Sequence, residues 1–334
     1  MKKFLLTKNY QNFCKRYKGT LDKLKTQPNS KFQKEDFILP FTKDLRILPK
    51  ISIAAKEMGI FNPTKVQKST IPKILRNQHV VVSDKTGTGK TACYAMPILH
   101  NIHVSLIEDS KSDKEIVDKM EISPKALILI PTRDLGSQIS KHFEDLSKYL
   151  GSKADELPIL SEEIDLNKEK KIDKTIPYEK IEILNASDDK IRKKERTDIM
   201  VCTPGRMIHL LEKNLISTHQ IKYFVLDECD KMLSLGFAED LLKIWEQLPR
   251  PKKNRKQKVN LITNQVVIQN LLFSATIIPQ IEEIVKRIAP SAAIIDLNKD
   301  KSTPTKIKHI SYHLLSRQKK SLLTYLLNRK VFFS

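Results

Sequence analysis

The chain has 334 residues, a formal net charge of +21 at pH 7 and a hydrophobic share of 40%. This length and apolar content suffice for one large domain or two ordinary ones, each with a buried core. No apolar run approaches the roughly eighteen residues that a membrane-spanning helix needs, so we expect no contact with a membrane.

The positive charge favours a polyanionic partner, because clustered lysine and arginine gain affinity by displacing counterions from phosphates. A merely well-solvated, lysine-rich surface is the alternative. The four cysteines lie far apart and match neither a disulfide framework nor the paired spacing of a zinc site, which is typical of a reducing compartment. They are Cys14, Cys93, Cys202 and Cys229.

Residues 1–36 are predicted to form a basic N-terminal extension. The first 21 residues, MKKFLLTKNYQNFCKRYKGTL, contain several basic residues and no acidic one. This composition is similar to that of a mitochondrial presequence, although such peptides favour arginine and Arg16 is the only one here. A basic arm that touches RNA is the alternative.

From Phe41 onward, short apolar strands alternate with helical stretches, which predicts an α/β fold with a parallel sheet covered by helices on both faces. The predicted strands are β-branched or aliphatic and nearly unbroken, as in strands that are buried on both faces. They cover residues 79–83, 126–130, 198–202, 223–226, 271–273 and 293–295. Two charged segments, 151–197 and 249–265, are predicted to be surface insertions.

A candidate phosphate-binding loop follows the first predicted strand, in the sequence SDKTGTGKT at 83–91. A phosphate loop needs a strand before it and a helix after it, and both are predicted here. The end of the segment matches the pattern G-x-x-x-x-G-K-[ST], but Asp84 stands at the position of the first glycine. A glycine turn before an ordinary helix is the alternative interpretation.

Four residues of this loop have chemistry suited to a nucleotide. Gly87 and Gly89 let the backbone bend so that its N–H groups point inward, and the helix N-terminus adds the positive end of its dipole. Lys90 is predicted to reach the β and γ phosphates, and Thr91 to offer its hydroxyl to Mg²⁺.

An acidic pair ends a second predicted strand, in the sequence YFVLDECD at 223–230. Asp227 and Glu228 would therefore lie at the carboxyl edge of the sheet, where the phosphate loop also emerges. We expect Asp227 to hold Mg²⁺ through water and Glu228 to orient or deprotonate an attacking water. Taken alone, such acids are commonly a solvated turn.

Together these motifs resemble the first RecA-like lobe of a DEAD-box RNA helicase, in the variant whose acidic motif reads DECD. The resemblance extends from about residue 41 to the end of the chain. Four further segments carry it: FNPTKVQ at 61–67, PTRDLGSQI at 131–139, TPGR at 203–206 and SAT at 274–276. It implies a RecA-like P-loop domain of three layers, expected here over residues 37–315.

The resemblance also implies roles for individual residues. The catalytic residues would be Lys90, Asp227 and Glu228, with Thr91 and Asp227 holding Mg²⁺. The ATP-binding residues would be Phe41, Gln67, Thr86, Gly87, Thr88, Gly89, Lys90 and Thr91, of which Gln67 reads the adenine and Phe41 is the upstream aromatic residue. RNA phosphates would contact Arg133, Thr203, Gly205 and Arg206, and Ser274, Ala275 and Thr276 would couple hydrolysis to RNA release.

Three sequence features depart from the family pattern. The family motif PTRELA reads PTRDLG at 131–136, a mild change that keeps Arg133. The family's phosphate loop resembles A-x-T-G-[ST]-G-K-T, so Asp84 replaces an alanine and would repel phosphates unless it points outward to a lysine such as Lys85. The Gly-Gly turn that the family usually carries before TPGR is not evident in EILNASDDKIRKK, which puts part of the RNA-backbone contact in doubt.

The resemblance predicts an ATP-dependent RNA helicase, that is, an RNA-stimulated ATPase. The chain would be the N-terminal lobe of that enzyme. Residues 316–334, which end in KVFFS, would be a linker and the start of a missing second RecA-like lobe. We expect a monomer that acts on RNA, in ribosome assembly or in another ribonucleoprotein complex. The expected location is the nucleus, the nucleolus or the cytoplasm, and the mitochondrion is the alternative. A catalytically incompetent RNA-binding module is the competing function, whereas a small P-loop kinase or GTPase fails to explain TPGR and SAT.

Overall fold

The computed structural model describes residues 40–109, 122–151, 180–187, 196–249, 268–298 and 310–328. The predicted N-terminal extension, most of both predicted insertions and the segment KVFFS lie outside these residues, so what the sequence predicts for them stays a prediction. The chain divides into two compact units, Met1–Asn298 and Lys299–Ser334.

The first unit is built on a seven-stranded parallel sheet, which confirms the predicted α/β fold. Its described strands have the order β3-β4-β2-β5-β6-β1-β7. In chain order they are β1 (Val80–Ser83), β2 (Ala126–Leu129), β3 (Ile183–Asn185), β4 (Ile199–Cys202), β5 (Tyr223–Leu226), β6 (Gln269–Ser274) and β7 (Ala293–Asp296).

Helices with local start signals connect these strands. Thr64 and Gln67 form a reciprocal capping box at the start of the third helix. Four other helices have proline as their first described residue, which has no N–H to leave unsatisfied. The described helices of this unit are α1 (Pro40–Leu45), α2 (Pro49–Glu57), α3 (Lys65–Leu75), α4 (Lys90–Asp109), α5 (Arg133–Ser147), α6 (Pro204–Glu212), α7 (Cys229–Ser234), α8 (Ala238–Glu246) and α9 (Pro279–Ile288).

The strand residues divide between two hydrophobic cores. Val80 and Val82 belong to one cluster of buried side chains, and Val81 belongs to the other. This follows from the alternation of side chains along a strand, which places neighbours on opposite faces of the sheet. Because both faces of the central strands β1, β2, β4, β5 and β6 are covered, these strands are nearly unbroken runs of buried residues. At the edge of the sheet, Ile294 of β7 is 66% exposed, which corrects the prediction that residues 293–295 are buried on both faces.

Strand β3 corrects the prediction that residues 151–197 are a surface insertion. It pairs in parallel with β4 at the edge of the sheet, and Ile181 and Ala186 beside it are buried. The strand is only three residues long and lies between charged stretches, so its apolar character is lost in the composition of the segment.

The second unit contains a 3-10 turn (Ser316–Gln318) followed by α10 (Lys319–Asn328). Several of its apolar side chains are exposed, including Leu323, Tyr325 and Leu327. Across the described parts of the chain, no helix combines the length and the apolar character that crossing a membrane requires.

We predict that Asp198→Ala destabilises the sheet at its β3 edge. The Asp198 carboxylate is 1% exposed. It accepts hydrogen bonds from Lys125 Nζ at 3.1 Å and from the Glu182 amide at 3.1 Å, and it pairs with Arg196 at 3.2 Å. Its removal leaves these donors without their buried acceptor, so urea titration should show a loss of about 2 kcal/mol in the free energy of unfolding.

Glu246→Ala is the matched control for this substitution. Glu246 is exposed at the end of α8, so deleting its carboxylate should change stability by less than about 0.5 kcal/mol. Equal losses in the two variants would refute the structural role of Asp198.

Candidate functional site

Three neighbouring strands bring the predicted motifs to one edge of the sheet. The order β5-β6-β1 places the acidic motif after β5, the SAT segment at the end of β6 and the phosphate loop after β1. A cavity of about 820 Å³ lies among them. The predicted site residues that line it are Thr86, Gly87, Gly89, Lys90, Thr91, Asp227, Glu228, Ala275 and Thr276.

The backbone of the phosphate loop depends on two glycines. Gly87 and Gly89 have φ values of +78° and +87°, a region that residues with a side chain rarely adopt. At Gly89 space is limiting as well, because a Cβ atom would lie 2.5 Å from Nε2 of Gln67. The loop therefore needs glycine at both positions, as the sequence predicted.

The Lys90 side chain lies across the loop that precedes it. Its ammonium group donates to the main-chain carbonyls of Asp84 and Lys85, at 2.5 and 2.7 Å. The lysine is therefore held within the phosphate loop while it also lines the cavity. Phosphate oxygens in the cavity would be alternative acceptors for this ammonium group.

The Gln67 side chain is attached to the loop rather than exposed in the cavity. It is 1% exposed, and its Nε2 donates to the Gly89 carbonyl at 3.2 Å. Thr64 makes a parallel connection through its hydroxyl, which donates to the Thr88 carbonyl at 3.1 Å. The structure therefore brings the predicted adenine reader and Thr88 to the site, although neither lines the cavity.

Asp227 is a buried carboxylate with two donors from the protein. It is 4% exposed; Oδ2 accepts from the Tyr94 hydroxyl at 2.7 Å and Oδ1 from the Glu228 amide at 2.9 Å. Burial raises the pKa of Asp227, while these two hydrogen bonds and the positive charge of Lys90 oppose that rise. The donors therefore favour the ionised form that a metal ion needs.

Glu228 occupies a strained backbone conformation at the start of α7. Its φ and ψ are 50° and 49°, the left-handed region that is rare for residues other than glycine. Its carboxylate lies 3.3 Å from Lys231 Nζ. Both side chains are partly exposed, so this ion pair is weak and Glu228 can exchange it for another partner.

Asp230 joins the acidic motif to the SAT segment. Its Oδ2 accepts from the amide and the hydroxyl of Thr276, at 3.2 and 3.0 Å. Its own amide donates to the Ser274 hydroxyl at 3.3 Å. Sequence reasoning did not assign a role to Asp230, although it is the last letter of the motif DECD.

Phe41, which is predicted as the upstream aromatic residue of the ATP site, does not line the cavity, and its role stays a prediction. Phe41 is 1% exposed and belongs to the hydrophobic core, because α1 packs that side chain inward. Ile60, which follows the turn after α2, lines the cavity instead.

Of the two orientations considered for Asp84, the structure does not have the outward one. The Asp84 side chain is buried, with 8% exposure, and its Oδ1 accepts from the Lys85 amide at 2.9 Å. The reason is that Asp84 continues β1: its own amide donates to the Ser274 carbonyl at 3.2 Å. The carboxylate therefore stays at the edge of the sheet beside the phosphate loop.

The predicted RNA contacts gather after β2 and β4, which are neighbours in the sheet. Arg133 and Gly205 are exposed, whereas Thr203 and Arg206 are half-buried. The Arg206 guanidinium donates to the Ala186 carbonyl at 3.1 Å. These four residues share the carboxyl edge with the cavity but do not line it.

A turn at Ala186 and Ser187 follows β3, in the segment where the glycine pair was not evident. Gly136, which stands where the family motif PTRELA has alanine, makes room for this turn. A Cβ atom at Gly136 would lie 2.8 Å from Cδ1 of Ile130 and 3.1 Å from the Ser187 hydroxyl. Glycine in place of alanine at Gly136 therefore provides the space that the turn at Ala186 and Ser187 occupies.

Helix α5 contributes cavity residues that sequence reasoning missed. Leu135, Gln138 and His142 line the cavity, and their spacing of three and four residues places them on one helix face. That spacing in PTRDLGSQISKH was the available signal. Burial lowers the pKa of His142, so its ring is neutral at pH 7.

The donor set of the site fits Mg²⁺. Among the described residues there is no group of three or more His, Cys, Asp or Glu that could hold a metal ion. Asp227 and Thr91 instead offer oxygen atoms beside the loop that would hold phosphates. Mg²⁺ typically binds through one or two protein oxygens, phosphates and waters.

Comparison with protein families gives a match to the DEAD/DEAH box helicase model over residues 64–284. The chain is 31% identical over 295 residues to ATP-dependent RNA helicase DBP9 of Debaryomyces hansenii, covering 86% of this chain and 41% of that protein. It is 29% identical over 277 residues to RNA helicase CrhR of Synechocystis, covering 81% of this chain and 44% of that protein. The chain thus spans less than half the length of these relatives.

Solved structures match the fold. A variant of S. cerevisiae Dbp5 bound to RNA and ADP BeF3 has a TM-score of 0.62 at 22% identity, covering 88% of this chain and 61% of that chain. A DEAD box protein from Methanococcus jannaschii has a TM-score of 0.53 at 23% identity, covering 86% and 63%. These similarities confirm the RecA-like architecture.

We predict that Asp84→Asn strengthens the binding of nucleotide phosphates. Asparagine keeps the acceptor for the Lys85 amide and removes the negative charge beside the loop. The affinity for a fluorescent ATP analogue should rise by about 1 kcal/mol, or about fivefold. Asp44→Asn, at an exposed position of α1, is the control and should leave the affinity unchanged. Equal affinities of the Asp84→Asn variant and the parent chain would show that the charge of Asp84 does not affect the binding of phosphates.

Proposed function

Because the chain belongs to the DEAD/DEAH box helicase family, we propose that it is the ATP-binding lobe of an ATP-dependent RNA helicase. The observation that carries this proposal is the convergence of phosphate loop, acidic motif and SAT segment on one cavity. The proposed activity is ATP hydrolysis that drives the unwinding or remodelling of RNA.

The phosphate loop would hold the triphosphate. Its backbone amides and the N-terminus of α4 provide donors for phosphate oxygens. Lys90 would exchange its contacts with the loop carbonyls for the β and γ phosphates. Gln67 would read the adenine from its place beside Gly89, and its bond to the loop would link base recognition to loop shape.

Thr91 and Asp227 would hold Mg²⁺. When bound, the ion would neutralise part of the negative charge on the phosphates and polarise them toward attack. Asp227 lines the cavity and receives two hydrogen bonds from the protein. Its carboxylate is therefore already held in place before a ligand arrives.

Glu228 would orient the attacking water and accept its proton. Glu228 lines the cavity. The weak pair with Lys231 would open when water and nucleotide enter. The hydrogen bonds between Asp230 and Thr276 would transmit a movement of the acidic motif on hydrolysis to the SAT segment.

RNA would bind along the carboxyl edge, after β2 and β4. Arg133 and Gly205 are exposed there, and both suit phosphates: guanidinium groups bind them in bidentate fashion, and backbone amides can approach closely at glycine. Recognition of the sugar-phosphate backbone would be independent of RNA sequence.

A second candidate function is RNA binding without ATP hydrolysis. Asp84 favours it, since a buried carboxylate at the phosphate loop weakens the binding of phosphates. The biological setting is proposed from the sequence only: the phosphate-loop segment KTGTGKTACYAMPIL is similar to that of family members in ribosome assembly. A nuclear, nucleolar or cytoplasmic location fits that setting.

We predict that Lys90→Ala removes ATP binding and leaves the fold intact. The side chain lies at the phosphate loop and not in either hydrophobic core. Loss of two charge-assisted contacts, of about 1.5–3 kcal/mol each, should weaken ATP binding at least about a hundredfold. A thermal-shift titration with Mg-ATP should therefore show stabilisation of the parent chain, less with GTP, and none of the variant.

Lys68→Ala is the control for charge. Lys68 is exposed on α3, so its removal lowers the net charge equally and should leave the ATP response unchanged. A folded Lys90→Ala protein that ATP still stabilises would refute the phosphate-loop assignment.

We predict that Arg133→Ala weakens RNA binding through one lost phosphate contact. The slope of log affinity against log salt for single-stranded RNA should fall in magnitude by about 0.7. Lys141→Ala is the matched control, because Lys141 is exposed on the same helix two turns later. Identical slopes for the two variants would show that Arg133 affects RNA binding only through the net charge and not through a phosphate contact.

A further inference from the structure

A fully buried tyrosine lies beneath the acidic motif. Tyr94 is 0% exposed, and its hydroxyl donates to Oδ2 of Asp227 at 2.7 Å. It follows Thr91 by three residues on α4, so the two side chains share one face of that helix. One helix therefore carries both the hydroxyl proposed to hold Mg²⁺ and the phenol that holds the other proposed metal ligand.

Neighbouring rings fix the position of the phenol. The Tyr94 ring packs against Phe143 of α5, with centroids 6.0 Å apart, and against Phe273 of β6, with centroids 5.0 Å apart. Its packing would be satisfied equally by phenylalanine. The hydroxyl is therefore the informative part, because a buried O–H requires an acceptor and Asp227 supplies one.

We propose that Tyr94 is a positioning residue, which fixes the orientation of the Asp227 carboxylate for the binding of the magnesium–nucleotide complex. This inference rests on the proposed function of the site. Tyr94 would touch neither the nucleotide nor the metal; it would act mainly through Asp227, although its hydroxyl also interacts with the side chain of Thr91.

The hydrogen bonds of Asp227 show why such a residue is needed. Each carboxylate oxygen receives one donor, Oδ1 from the Glu228 amide and Oδ2 from Tyr94. A carboxylate accepts about four hydrogen bonds in all, so lone pairs remain for a metal-bound water. Without the phenol, rotation of the carboxylate is opposed only from the Oδ1 side, by the amide of its own neighbour.

The test is Tyr94→Phe in the full 334-residue chain. Binding of a fluorescent ATP analogue is titrated against Mg²⁺ and repeated in excess EDTA. The Mg²⁺ concentration for half-maximal enhancement of binding should rise by about tenfold or more, the usual cost of removing a group that orients a metal ligand. Affinity in EDTA should stay unchanged, since Lys90 and Gln67 remain in place.

Two controls separate positioning from stability. Tyr149→Phe removes a tyrosine hydroxyl that donates to a different carboxylate, that of Glu57, which lies outside the cavity; it should leave the Mg²⁺ dependence unchanged. In an Asp227→Ala background, Tyr94→Phe should change the Mg²⁺ dependence much less than it does in the parent chain, because the hydroxyl then has no carboxylate to orient.

The outcomes are distinct. Equal Mg²⁺ dependence of the parent chain and the Tyr94→Phe variant would overturn the inference. A loss of affinity in the variant that is as large in EDTA as in Mg²⁺ would also overturn it, because that result indicates a general structural role. A parent chain whose ATP binding does not respond to Mg²⁺ at all would overturn the proposed function, and the inference with it.

Discussion

The position of β6 between β1 and β5 is the constraint on which the site depends. In a parallel sheet, the carboxyl ends of adjacent strands lie at the same edge. The phosphate loop, the SAT segment and the acidic motif are separated by up to about two hundred residues in the chain, yet they must meet once these three strands pair. The buried apolar side chains on both faces of the strands enforce that pairing.

Hydrogen bonds then convert this proximity into a connected site. The Ser274 carbonyl accepts from the Asp84 amide, and Asp230 accepts twice from Thr276. The phosphate loop is thus bonded to the SAT strand, which is bonded to the acidic motif. The proposed coupling of nucleotide to RNA would use this series of hydrogen-bonded groups, which runs from the phosphate loop to Thr276.

The sequence predicted the sheet because its central strands, of four to six residues, are buried on both faces. It predicted the loop and the acids because their residue types suit phosphates and Mg²⁺. Other features depend on packing that no local pattern reveals. Strand β3 is too short and too closely flanked by charged residues to stand out. Phe41 is turned into the core by α1, whereas Tyr94 meets Asp227 across 133 residues of chain. The roles of the site residues remain predictions for experiment.

Two of the departures from the family pattern, Gly136 and Asp84, illustrate different physical cases. Gly136 lacks a Cβ atom at the point where Ile130 and the Ser187 hydroxyl would contact it, so the change is accommodated by packing and leaves the charge of the site as it was. Asp84 keeps a satisfied side-chain oxygen through the Lys85 amide, but a hydrogen bond to one neutral amide does not cancel a full negative charge. Steric departures can therefore be compensated within the fold, whereas this electrostatic one persists at the loop and acts on any phosphate that binds there.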